Sequence, residues 1–174
     1  MEPAFTIRRL ETADAPAYRE LRLRSLADSP DAFGSTWEAE QALPPTHWQD
    51  RLSAAAVSGR DCPLVAERDG AALGLLWARQ DTAQPALVNL FQMWVAPESR
   101  GCGVASALLR EAIAWAQSMQ ASVVQLGVTC GDTPAARLYA RAGFLPHGEP
   151  EPLGDGSPLL SQPMRLALHR EQAA

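Results

Sequence analysis

Arg100-Gly101-Cys102-Gly103-Val104-Ala105 is the stretch whose residue types point most directly to chemistry. It follows an apolar run, Leu87 to Val95, and opens a helix-like run, Ser106 to Met119. A strand, a tight glycine turn and a helix in that order present bare backbone N–H groups, because the first turn of a helix leaves four of them without intrahelical partners. The aligned peptide dipoles add partial positive charge at the same end. A phosphate or pyrophosphate is the expected guest. Glycine at 101 and 103 lets the main chain come close, with no Cβ in the way, and Arg100 adds a cation at the mouth. Two nucleotide fingerprints do not fit: G-x-G-x-x-G would need glycine where Ser106 stands, and no G-x-x-x-x-G-K-[ST] occurs.

The elements that must position this turn are legible as periodicities. Phe5 to Leu10 alternates and reads as a strand. Thr12 and Asp14 cap a helix over Ala15 to Ala27, with Ala17, Leu21, Leu23 and Leu26 on its buried side. Phe33 to Trp37 reads as a loop, and Pro45 to Val57 as a second helix. Asp69-Gly70 between two apolar runs, Leu64 to Arg68 and Ala71 to Ala78, predicts a two-residue hairpin turn. Leu87 to Val95 is the next strand. Val104 to Met119 is a helix with Ala105, Leu108, Leu109, Ala112, Ile113 and Ala116 on its core face. Ser122 to Thr129 is a strand, and Pro134 to Ala142 a helix ended by Gly143. Pro146 to Pro163, rich in proline and glycine, reads as a long loop before a last strand, Met164 to Leu168. The fold class is therefore α+β, one mixed sheet covered by helices.

Composition narrows the function. A chain of 174 residues fits one domain, 1–174, with one core. Hydrophobic residues make up 47% and charged ones 20%, so the chain is not of a disordered type. A net charge of −5 argues against nucleic-acid partners, which need a basic face. No apolar run approaches the roughly 18–20 residues of a spanning helix, so no membrane partner is expected. Cys62, Cys102 and Cys130 show neither metal-ligand spacing nor an even disulfide set. No metal is expected, and a reducing, cytoplasmic setting is. Met1 to Phe5 lacks the basic and apolar regions of a signal peptide.

Two blocks carry a family resemblance. Met93 to Leu109 resembles the acetyl-CoA signature Q/R-x-x-G-x-G/A of the GNAT superfamily of N-acetyltransferases, with Arg100, Gly103 and Ala105 at its fixed positions. Asp132 to Phe144 resembles the family's N-x-x-A-x-x-L-Y-x-x-x-G-F. Two such blocks about thirty residues apart are far more specific than either alone. The resemblance implies one GNAT-type domain with a mixed sheet of about six to seven strands, the fourth and fifth splayed apart. It implies acetyl-CoA as cosubstrate, its pyrophosphate on the amides of Arg100, Gly101, Cys102, Gly103, Val104 and Ala105, with Ser106 adding its N–H or hydroxyl. It implies that Met93, Trp94 and Val95 pair with the pantetheine arm, and that a backbone N–H near Val95 serves as oxyanion donor.

Family likeness also makes Tyr139 the leading catalytic residue, a general acid for the departing thiolate. The strand positions that often hold a glutamate base are Asn89 and Gly127 here, and neither accepts a proton usefully. Ordered water, or Glu38, Glu40, Glu149 or Asp81, are the open alternatives, with His47 and His147 as weaker ones. Asp132 stands where the family has asparagine and is expected to cap the next helix first and to touch the cosubstrate second. The acceptor is expected to be an amine on a small molecule or peptide, held between the 33–48 and 147–162 segments. Phe33, Trp37 and Trp48 are candidates for an aromatic wall, and Asp31, Glu38 and Glu40 for attracting a cation. A homodimer is common among relatives. The competing reading is a non-catalytic acyl-CoA-binding or regulatory module on the same fold.

Overall fold

The computed structural model describes residues 4–169. Among the described residues eight strands occur: β1 (Thr6–Arg9), β2 (Asp61–Arg68), β3 (Ala71–Gln80), β4 (Leu87–Val95), β5 (Val123–Thr129), β6 (Leu145–Pro146), β7 (Glu151–Pro152) and β8 (Leu160–Ala167). Five α-helices accompany them: α1 (Ala15–Asp28), α2 (Trp37–Gln41), α3 (Pro45–Ser58), α4 (Val104–Ser118) and α5 (Pro134–Arg141). The strands form one sheet in the order β1-β2-β3-β4-β5-β8-β6, with β7 also paired to β8. Every pairing is antiparallel except β4 with β5.

The sheet separates two apolar layers, as strand alternation requires. Leu76 and Ala78 of β3 face α4, whereas Leu75 and Trp77 face α1 and α3. On α4 the expected face is the buried one: Leu108, Leu109, Ala112 and Ala116 are buried in the first layer, with Ala105 and Ile113 packed at its margin. Each such leucine contributes about 1.5–3 kcal/mol by leaving water. The hairpin turn is also as read: Asp69 has φ 51° and Gly70 φ 79°, so both central residues are left-handed, as a type I′ turn requires.

Four features depart from the sequence reading. Ala17 is exposed, and Tyr18 takes its place in the buried stripe of α1 beside Leu21, Arg22, Ser25 and Leu26. The segment after Phe33 is not loop throughout, because Thr36 caps the short α2 by accepting a hydrogen bond from Ala39 N at 3.2 Å. The supposed loop 146–163 contains β7 and the first four residues of β8. Pro163 sits inside β8 at a point facing neither β6 nor β7, a place where a sheet tolerates a missing N–H. The fourth is a bulge in β4. One residue of β3 between Leu75 and Trp77 faces two of β4, Gln92 and Met93. Gln92 is left-handed at φ 58° and accepts a hydrogen bond from the Tyr18 hydroxyl at 2.9 Å. A bulge adds twist and turns a strand aside, and this one lies where β4 leaves β5.

Candidate active site

β4 and β5 pair over only three positions, Leu87 with Val123, Val88 with Val124 and Asn89 with Gln125. β4 continues along β3, and β5 along β8, so beyond Asn89 and Gln125 the two facing edges open into a V. Main-chain groups on those edges need partners from outside the sheet. A cleft of about 870 Å³ occupies the V, with Phe91, Gln92 and Met93 on one arm and Gly127, Val128 and Thr129 on the other.

The glycine turn lies at the end of the β4 arm. Gly101 has φ 74° and Gly103 φ 83°, both in the region that favours glycine, and a Cβ at either would meet open space. The Gly103 carbonyl accepts the first helical bond, from Ala107 N at 3.0 Å. Among the described residues the amides of residues 101–106 take no backbone partner outside the helix, so the turn ends in a cradle of free N–H groups. That cradle fits a diphosphate. Arg100 does not simply project a cation at it. Its Nε donates to the Val95 carbonyl at 3.0 Å and its Nη2 to Asp28 Oδ2 at 2.7 Å. Asp28 also receives the Trp94 indole N–H at 2.9 Å and the Ser29 hydroxyl at 2.7 Å. Those two donors, joined by Arg100, hold its carboxyl down to about 2. Of the three β4 residues expected along the pantetheine arm, Met93 borders the cleft. The side chains of Trp94 and Val95 are buried on opposite faces, which leaves only their backbone for a ligand.

Tyr139 projects from α5 onto the same cleft. Its ring packs against Phe144 at 5.9 Å between centroids, and the residue is 6% exposed. Burial pushes its phenol well above the ordinary tyrosine range, so it stays protonated at neutral pH.

A family model for the acetyltransferase (GNAT) family matches residues 23–144. The chain belongs to the GNAT family. Among curated proteins, the mycothiol acetyltransferase of Pseudarthrobacter chlorophenolicus is 32% identical over 84 residues, which is 47% of this chain and 26% of that protein. The mycothiol acetyltransferase of Thermobispora bispora is 29% identical over 135 residues, 75% of this chain and 43% of that protein. The chain thus spans under half the length of both. YncA of Salmonella typhimurium, solved with its cofactor acetyl-CoA, shares the fold at TM-score 0.78 and 23% identity, over 98% of this chain and 97% of that one.

Within this GNAT domain the remaining expected residues divide sharply. Asn89 sits at the point of divergence, its Oδ1 3.4 Å from Gln125 Nε2, and Gly127 lies on the β5 arm. A Cβ at 127 would stand 2.6 Å from Ser161 Oγ, so a serine on β8 fills the space that a family glutamate would need. Of Glu38, Glu40, Glu149 and Asp81, only Glu40 borders the cleft, and it is tied up there by Arg22. Asp81 instead caps its own turn through the amides of Ala83 and Gln84. His47 stacks edge-on against Trp48, His147 is exposed, and neither borders the cleft. Of the aromatic wall only Phe33 lines the cleft, because Trp48 is buried beside Tyr18 and Trp37 is exposed. Asp132 does not cap α5. Pro134 is the first helical residue, so the cap falls on Thr133, whose hydroxyl accepts from Ala136 N at 3.1 Å, and Asp132 pairs with Arg137 at 2.7 Å. Among the described residues no group of three or more His, Cys, Asp or Glu stands together as a metal site would, and no helix is long and apolar enough to cross a membrane.

Sequence reasoning missed an ion pair. Arg22 Nε and Nη2 donate to Glu40 Oε2 and Oε1 at 2.9 and 2.7 Å, with both residues buried. The guanidinium lies 4.7 Å from the centroid of the Phe33 ring. Arg22 falls on the apolar stripe of α1, next to Leu21 and three before Ser25, and that spacing was its only signal.

Proposed function

We propose that this chain is an acetyl-CoA-dependent N-acetyltransferase acting on the primary amine of a small molecule or peptide by direct attack. The observation that carries the reading is the V between β4 and β5, with the free amides of 101–106 at one end and the Tyr139 phenol bordering the same cleft. Acetyl-CoA supplies an acetyl group already activated as a thioester. The amides of 101–106 take its diphosphate, and the edge of β4 at Met93–Val95 that β5 leaves unpaired takes the pantetheine amides, apart from the Val95 carbonyl that Arg100 occupies. A backbone N–H near Val95 faces the carbonyl oxygen as negative charge grows there. A nitrogen–carbon bond forms, the carbon–sulfur bond breaks, the amine gives up one proton, and Tyr139 hands its own to the departing sulfur.

No carboxylate stands on the β4 or β5 arm of the V at the positions where a strand base would sit, and of the four carboxylates bordering the cleft only Asp31 and Glu151 lack an ion-pair partner among the described residues. Asn89 and Gly127 stand at the strand positions instead, and Glu40 and Asp28 are engaged by Arg22 and Arg100. With no carboxylate on either arm, deprotonation passes through water or precedes binding, Asp31 and Glu151 being the carboxylates left free at the cleft's border, and kcat/KM should climb with pH toward the acceptor amine's own pKa. A bell with an acidic limb near pH 5–6 would instead reveal a protein base.

The missing strand carboxylates are also the one observation favouring a non-catalytic acyl-CoA-binding module. Two measurements separate the readings. Acetyl-CoA should raise the melting temperature by mass action, and CoA should be released over an amine panel read with a thiol reagent. A melt unmoved at millimolar acetyl-CoA sinks both readings, whereas a shifted melt with no thiol release from any amine leaves only the binding module.

A further inference from the structure

The acceptor side of the cleft carries a positive charge that its neighbours do not cancel. Arg22, Arg51 and Arg79 all border the cleft. Glu40 neutralises Arg22 through two hydrogen bonds. Asp61 receives Arg79 Nε at 2.6 Å, which leaves the other guanidinium nitrogens of Arg79 without a carboxylate. Arg51, on α3, has no carboxylate partner among the described residues. It is half-buried rather than waving in solvent.

Arg51 is held by a ring. Its guanidinium carbon lies 4.8 Å from the centroid of Trp77, and Trp77 is 1% exposed. The indole is itself pinned by a hydrogen bond from Nε1 to Asp61 Oδ1 at 2.8 Å. A planar cation stacked on a fixed aromatic face loses little freedom when it binds a planar anion. The same charge reaches Tyr18: burial pushes the Tyr18 phenol up, and Arg51 opposes that, with smaller help from Gln92 and Arg22.

Strand register places this cation relative to the chemistry. Trp77 is directly opposite Phe91 on β4, two residues beyond Asn89, where β4 and β5 part. Neighbouring strands are about 4.8 Å apart, so Arg51 stands roughly two strand spacings, on the order of 10 Å, from the V. The unpaired carboxylates that border the cleft, Asp31 and Glu151, lie on the other side. The Asp31 carbonyl receives the Thr129 hydroxyl at the end of β5, and Glu151 pairs with Ser161 on β8. The cleft is also roofed. A Cβ on Gly34 would meet the Leu153 carbonyl oxygen at 2.5 Å, and one on Gly154 the Gly34 oxygen at 2.5 Å. The loop before α2 and the loop after β7 therefore touch main chain to main chain.

We propose that the acceptor is a small amine that also carries a carboxylate, which Arg51 receives on its Trp77 platform with Arg79 alongside while the amine nitrogen lies at the V. This rests on the transferase reading above and adds the anion site to it. Of the acidic residues expected to attract a cation, for a polyamine-like or amino-acid-like acceptor, Glu40 is already neutralised by Arg22, which favours the amino-acid-like alternative.

The experiment uses matched acceptors long enough to span the distance from Arg51 to the V: 5-aminopentanoate, 6-aminohexanoate and L-lysine through its ε-amine, against butylamine, pentylamine and cadaverine. CoA release is read for the wild type, Arg51→Met, Arg51→Glu and Arg51→Lys. Binding of the same six compounds to the CoA-loaded protein is read by calorimetry. The ratio of kcat/KM within each pair cancels part of the difference in amine basicity when it is compared between enzyme forms. The carboxylate preference should fall about tenfold or more in Arg51→Met, the size of one charge-assisted hydrogen bond. It should invert in Arg51→Glu and return in part in Arg51→Lys. Methionine keeps the packing on Trp77, and an unchanged acetyl-CoA melting shift certifies the fold of each variant. Ratios equal across all four forms, with CoA released, overturn the anion site and leave the transferase standing. No CoA release, but carboxylate binding that Arg51→Met abolishes, leaves the anion site standing and removes the transferase. Neither release nor binding overturns both.

Discussion

The turn at residues 100–106 offers a ligand main-chain N–H groups from one short segment, whereas the wall across the cleft offers side chains drawn from α1, the loop before α2, α2 and α3. The first site needs only a strand, two left-handed glycines and a helix start, all within twenty residues of sequence. The second needs Arg22, Phe33, Glu40 and Arg51 to meet on the face of β3 and β4. A backbone site is fixed by local conformation and tolerates much change around it. A side-chain site is fixed by packing and is sensitive to every member. That contrast predicts which substitutions break binding alone and which break the fold as well.

The largest effect should come from the side-chain site. Glu40→Ala leaves Arg22 buried without its partner, and breaking a buried pair in this way costs about 3–5 kcal/mol. Urea unfolding measures it. The double change Arg22→Met with Glu40→Leu should recover most of the loss, because replacing both charges by apolar groups is often close to neutral. If Glu40→Ala unfolds at the wild-type midpoint, the wall is not coupled to the fold and the contrast fails.

Tyr139→Phe should lower kcat by about a hundredfold or more, the low end of general-acid effects, while the melting shift from acetyl-CoA stays as in the wild type. Burial raises the Tyr139 phenol, so this acid remains protonated throughout the neutral and mildly alkaline range and adds no falling limb there. A basic limb that vanishes in the phenylalanine variant would contradict that environment.

Gly103→Ala probes the backbone site. Its φ of 83° imposes a strain of about 1–2 kcal/mol on any residue with a Cβ, but no atom stands within 4 Å of that Cβ to clash. The melting temperature should fall by a few degrees. The larger loss should be in the acetyl-CoA-induced shift, because relieving the left-handed strain re-aims the amides of 101–106 on which the proposed diphosphate site depends. The order is therefore the reverse of that for Glu40→Ala: binding is lost and folding survives.

The same contrast explains what could be read from the sequence. Each half of the proposed site is contiguous in sequence, and residue type with spacing specifies it: Gly101 and Gly103 for the turn, Val104 onward for the helix, Tyr139 in a patterned helix. The β4–β5 divergence was implied only by resemblance, since no single residue encodes it. The structure traces it to register, with pairing that stops at Asn89 and a bulge at Gln92 and Met93. Arg22 with Glu40, Arg51 over Trp77, and Ser161 in the space beside Gly127 are contacts across 18, 26 and 34 positions, and no local pattern announces them. The cap of α5 was legible and misassigned: a proline opening a helix puts the cap on the residue before it, so Pro134 points to Thr133.

Asp28 joins the two regions, and its removal should give the smallest effect and the most informative one. It ends α1, its carboxylate takes Trp94 of β4 and Arg100 of the turn, and it borders the cleft. Its folded-state carboxyl is held down to about 2, below an unfolded value near 3.8. A depressed carboxyl stabilises above the unfolded value, so the contribution is complete above about pH 4–5 and disappears as the pH falls toward 2. The group is partly exposed and its pairs are correspondingly screened, so about 1 kcal/mol is expected. Asp28→Asn should therefore be less stable than the wild type at pH 6, with the difference reduced at pH 2.5 to about a third of its size at pH 6, measured as the difference between two urea curves at each pH. Freed from Asp28, Arg100 keeps only its bond to the Val95 carbonyl. If the turn is a self-sufficient backbone site, the acetyl-CoA melting shift of Asp28→Asn should match the wild type at pH 6. A reduced shift would mean that the cradle is held in shape from the acceptor side, and the division between a backbone half and a side-chain half would have to be redrawn at Asp28.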